Sequence, residues 1–118
     1  MTRVVAHTIA RTVPGMNRLE TAYAEELEAK RFGGIIREWH FQALTLKLAN
    51  DTRYTPDFFV VAQDGAVECH ETKGHMRDDA AVKLKVAARQ FPFRFYLIRR
   101  DRKTGYFHTT DYTEGEAP

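Results

Sequence analysis

A chain of 118 residues, 43% hydrophobic and 29% charged, fits one globular domain. The single cysteine, Cys69, excludes an internal disulfide and suits a reducing compartment. No apolar run approaches the ~20 residues of a membrane span, and the stretch after Met1 is too short for a signal peptide, so a cytoplasmic location is expected.

The net charge of +2 says little about partners, but its distribution is uneven. Arg3, Arg11 and Arg18 stand in an acid-free opening stretch, and Arg99, Arg100, Arg102 and Lys103 cluster late. Residues 1–15 show no period and end at Val13-Pro14-Gly15, which reads as a flexible basic arm. A helix is expected from Asn17, an N-cap, to Phe32, stopped by Gly33-Gly34. Met16, Leu19, Tyr23 and Leu27 share its apolar face, and Glu20 falls on the flank.

Residues 38–49 alternate like a strand, and Tyr54 to Ala62 reads as a second. Gln63-Asp64-Gly65 is a turn into a third strand, Val67 to Lys73. Arg77 to Phe91 is expected to be a helix, with Ala80, Leu84, Ala87 and Ala88 on its apolar stripe and Pro92 ending it. Phe93 to Ile98 is the next strand, and Tyr106 to Tyr112 an added edge strand. Residues 113–118 read as a disordered tail. The expectation is an α/β fold: a small mixed sheet on an α-β-β-β-α-β core, occupying residues 16–112, with a parallel crossover through the second helix.

The chemistry concentrates in Pro56-Asp57 and, after thirteen intervening residues, Glu71-Thr72-Lys73. Glu71 and Lys73 project to one face of a strand. A two-residue turn at Asp64-Gly65 would turn Asp57 away from them. A three-residue turn with Gly65 left-handed sets Asp57 opposite Glu71, and glycine in the third position favours that turn. Two carboxylates facing across a strand pair repel. A divalent cation resolves the repulsion: Asp57, Glu71 and the Thr72 backbone carbonyl suit Mg²⁺, with Mn²⁺ as a substitute and Lys73 beside the attacking water.

This pattern resembles the PD-(D/E)XK nuclease superfamily. It is most similar to small phage and prophage endonucleases of the endonuclease I type, which resolve Holliday junctions. The likeness runs from Met16 to Ile98 through Asn17-Arg-Leu-Glu20, Tyr54-Thr-Pro-Asp-Phe58 and Glu71-Thr-Lys-Gly74. It implies a restriction-endonuclease-like fold and a Mg²⁺-dependent DNA endonuclease in a bacterial host cell. Asp57 and Glu71 are then metal ligands, Lys73 is catalytic, and Glu20 completes the site, although Asn17 and Glu20 equally spell a helix capping box. A junction substrate calls for two symmetric nicks and hence a homodimer. The alternatives are a nickase or less selective endonuclease, a non-catalytic DNA-binding module, and a phage accessory domain that binds protein.

Further DNA contacts are expected from His75, from Lys83, Lys85 and Arg89 on the second helix, and from Arg99, Arg100, Arg102 and Lys103. His70 alternates away from Glu71 and is expected to pack. Cys69 reads as a small core residue, and no histidine pair has the spacing of a structural zinc site.

Overall fold

A computed structural model describes residues 15–74 and 78–113. The expected arm (apart from Gly15), the tail beyond Thr113, and His75 therefore lie outside the described residues. Helix α1 runs Arg18–Phe32, followed by β1 (Ile36–Phe41), β2 (Leu46–Ala49), β3 (Thr52–Tyr54), β4 (Phe58–Ala62) and β5 (Val67–Thr72). Helix α2 (Asp78–Gln90), β6 (Arg94–Arg100) and β7 (Phe107–Asp111) complete the chain order. The fold is mixed α/β, as expected. Its five-stranded sheet has the order β1-β4-β5-β6-β7, and β2 and β3 form a separate two-stranded sheet. β5 and β6 are parallel, joined across α2, and the other pairs are antiparallel.

Two expected strands are each divided. The stretch 38–49 breaks at Gln42, whose φ of 49° turns the chain out of the sheet. Its amide donates to the Asp57 carbonyl at 2.8 Å as the chain leaves. The stretch 54–62 breaks at Thr55-Pro56, since proline has no amide for a ladder. The freed pieces form the β2–β3 hairpin, which places Leu46, Leu48 and Tyr54 against the side of the sheet covered by α2.

Both sheet faces are buried. On one, Tyr23, Ala24 and Leu27 of α1 pack on Trp39, Phe58, Val60 and Ile98. On the other, Leu84, Ala87 and Ala88 of α2 pack with Cys69, Phe95 and Leu97. The turn between β4 and β5 has the expected form. Gly65 is left-handed at φ 89°, and Val61 pairs with Val67 and Phe58 with His70. Extended one step, that register sets Asp57 opposite Glu71.

Candidate active site

The site is assembled from four places in the chain. Asp57 stands just before β4, Glu71 and Thr72 end β5, Lys73 follows, and Glu20 sits in the first turn of α1. Glu20, Asp57, Glu71 and Lys73 are all buried, each 8 or 9% exposed. The helix turns Glu20 inward rather than leaving it on the flank, as its spacing had suggested.

Asp57 is held by Thr72. Its Oδ2 accepts from the Thr72 amide at 2.9 Å and from the Thr72 hydroxyl at 2.8 Å. Glu71 is held by Tyr54, whose hydroxyl donates to Oε1 at 2.8 Å. Glu20 takes the capping role its sequence context allowed. Its Oε1 accepts from the Asn17 amide at 2.9 Å, and the Asn17 side chain accepts from the Glu20 amide at 2.7 Å, a complete capping box. The same carboxyl lies close enough to Asp57 for each to shift the other's ionisation. Lys73 donates its amide to the Ile98 carbonyl at 2.9 Å, which fixes the end of β5 against β6.

The electrostatics follow from this crowding. Burial raises the Glu71 carboxyl to about 8, with the charges of Asp57 and Glu20 adding to the rise. Burial also raises Asp57, against the Thr72 hydrogen bonds that lower it. Glu20 rises through burial and the neighbouring Asp57. Tyr54 is raised by burial and then by Glu71, so its phenol stays a donor. The hydrogen bonds to these three carboxyls come from neutral groups. Among the described residues, no cation lies within 4 Å of them.

Thr72, Lys73 and Gly74 line a cleft of about 380 Å³ together with Asn17, Arg18, Leu19 and Ala80. It opens between the start of α1 and the start of α2. A larger hollow of about 530 Å³ lies between α2 and the β2–β3 hairpin. It is mainly apolar, and none of the three carboxyls lines either cavity. Among the described residues, no group of three or more His, Cys, Asp or Glu side chains, Glu20, Asp57 and Glu71 included, is placed to hold a metal ion.

The expected cationic contacts separate by position. Lys83 borders the apolar hollow. Lys85 lies over the Tyr112 ring at 5.5 Å, and Arg89 is exposed on the same helix. Arg100 stacks on Phe107 at 5.1 Å and donates to the Gly105 carbonyl at 2.9 Å, which ties it into its own hairpin. Arg99, Arg102 and Lys103 are exposed and make no ion pair among the described residues. Tyr54 and the Thr72 side chain are the polar partners that the sequence reading missed. The signal for Thr72 was its place between Glu71 and Lys73, where its hydroxyl is free to turn towards Asp57. No local pattern marks Tyr54 as the partner of Glu71.

Comparison with protein-family models, curated proteins and solved structures returns no match. No helix among the described residues is long and apolar enough to cross a membrane.

Proposed function

We propose that the carboxyl cluster binds a divalent cation and that the protein is a metal-dependent DNA endonuclease. One observation carries this reading: three buried carboxyls lie together and, among the described residues, take hydrogen bonds from neutral groups only, while burial and mutual repulsion hold Glu71 up at about 8. Such a cluster keeps protons it would lose in water, and a cation displaces them. An all-oxygen donor set suits Mg²⁺ or Mn²⁺ rather than zinc. Asp57, Glu71 and the Thr72 carbonyl would hold the ion, leaving its other positions to water and a phosphate. When bound, it stabilises negative charge at phosphorus and acidifies water.

The chain's own residues supply the remainder. Thr72 fixes the Asp57 carboxylate through two hydrogen bonds, and Tyr54 fixes Glu71, so neither rotates away. Lys73 lines the cleft, where its ammonium orients the attacking water and offsets charge on the phosphate. Water adds to phosphorus and gives up a proton to solvent, the bridging P–O bond breaks, and the departing oxygen takes a proton from solvent.

The resemblance in Asn17–Glu20, Tyr54–Phe58 and Glu71–Gly74 supports this reading and supplies its finer form, a homodimeric resolvase of four-way junctions. A labelled junction and its linear duplex arms, offered together with Mg²⁺ or Mn²⁺, test both levels. Cutting that disappears in Asp57→Ala supports the nuclease, and paired symmetric cuts confined to the junction support the resolvase. DNA binding without cutting in either metal would favour a non-catalytic module.

A further inference from the structure

The parallel register of β5 and β6 has a consequence for the surface beside the carboxyls. Thr72 with Ile98 is the last pair of the ladder, the Lys73 amide bonds the Ile98 carbonyl, and the same register carried one step further sets Lys73 beside Arg99. On β7, Arg99 pairs with His108. Partners across a sheet share a face, and Lys73 shares a face with Glu71, two residues before it. Lys73, Arg99 and His108 therefore form a single row across three adjacent strands, starting at the carboxyl cluster and running to the sheet edge.

At about 4.8 Å per strand, the row is about 10 Å long, enough to follow two or three phosphates of one nucleic-acid strand. Its exposure grows outward: Lys73 is buried at the cleft, Arg99 is exposed, and the His108 side chain is 67% exposed. Arg102 and Lys103 lie in the β6–β7 turn, past the strand ends next to Arg99 and His108. The nearby acid, Asp101, is largely spent on that turn. Its Oδ1 accepts from the Lys103 amide at 2.7 Å and from the Thr104 amide at 3.4 Å, and Oδ2 stands 3.6 Å from His108. Arg100, one residue along β6, points to the opposite face and stacks on Phe107.

We infer that the row Lys73–Arg99–His108 is a track for the DNA phosphate backbone, leading one strand away from the cleft along β5, β6 and β7. This rests on the nuclease reading for the identity of the polyanion, but the row can be tested without cleavage. Binding of the full chain to a labelled duplex is measured by anisotropy in EDTA over a range of salt concentrations. Arg99→Ala and His108→Ala are compared with Arg37→Ala. Arg37 is exposed on β1, near the Gly65 turn at the far end of β5, and Arg37→Ala removes the same charge as Arg99→Ala.

Arg99→Ala is expected to weaken binding about tenfold and to lower the salt slope by about 0.9, the loss of one phosphate contact. His108→Ala is expected to give a smaller loss, and Arg37→Ala none. Equal effects of Arg99→Ala and Arg37→Ala, or no binding by the unaltered chain, would overturn the track. Loss of the nuclease reading shows separately, as intact binding with no cutting in Mg²⁺ or Mn²⁺.

Discussion

β5 carries two buried polar clusters, one on each face, and they are built on opposite principles. Towards α1, His70 accepts from or donates to the Tyr23 hydroxyl at 2.6 Å and meets Glu68 at 2.8 Å through its other nitrogen. Arg94 completes the chain by reaching Glu68 at 3.3 Å and Asp64 at 3.1 Å. Acid, imidazole, phenol and guanidinium alternate, so each group finds a complementary partner. Beyond the other face, Glu71 and Asp57 meet Glu20, acid against acid, and among the described residues their hydrogen-bond donors are neutral. A cluster that satisfies itself stabilises the fold. A cluster that does not is kept at a cost to stability, and such a cost is typical of a functional site.

The largest effect that sharpens this contrast is catalytic. Asp57→Ala or Glu71→Ala should lower metal-dependent cleavage by a factor on the order of 10³ or more, because several kcal/mol of charge stabilisation are lost. Retained cleavage in either variant would remove the site.

The next effect is in pH. The folded state holds the Glu71 proton up to about 8, against 4.5 for an ordinary glutamate. The folded protein therefore binds more protons than the unfolded chain across that window. Its metal-free stability should be full below about 4.5 and should fall as pH rises through about 8, by an amount on the order of a few kcal/mol. Urea melts of Glu71→Gln should show most of that slope gone. An unchanged slope would mean that Glu71 is not the group responsible.

On the self-satisfied face, the sign reverses. Tyr23→Phe keeps the ring packed on Phe58 but leaves the buried His70 nitrogen without its partner, so stability should drop by about 1–3 kcal/mol. Urea denaturation checks it, and a neutral result would break the comparison from that side.

The smallest effects concern Glu20. Asn17→Ala should cost about 1 kcal/mol through loss of the cap. Glu20→Gln should cost almost nothing in stability, because glutamine serves a capping box as well as glutamate does. If Glu20 also belongs to the site, the same variant lowers cleavage. Thermal melts and cleavage rates on one preparation separate its two roles.

Much of this arrangement was legible in the residues because it is local. Asn17 with Glu20 specifies the capping box. Gly65 in the third turn position specifies the register that faces Asp57 with Glu71. The alternation of Cys69, His70 and Glu71 sends the histidine to the far side, where Tyr23 receives it. What the sequence hid depends on distant parts of the chain. Gln42 adopts a positive φ without being glycine or asparagine, so the break between β1 and β2 had no local mark. The small β2–β3 sheet follows from that break, and with it the approach of Tyr54 to Glu71. The burial of Glu20 depends on how α1 docks on the sheet. The Lys73–Arg99–His108 row needs a parallel pairing across α2, which no spacing between those residues conveys.

The central claim is that the acid-only cluster is completed by a divalent ion. Its most direct test is a calorimetric titration of the full chain with Mg²⁺ or Mn²⁺ near pH 7, repeated in buffers of different ionisation enthalpy. The account predicts binding that releases protons, a melting temperature that rises with ion concentration, and loss of both in Asp57→Ala. Absence of binding by the unaltered chain, or binding without proton release that survives Asp57→Ala, would contradict it.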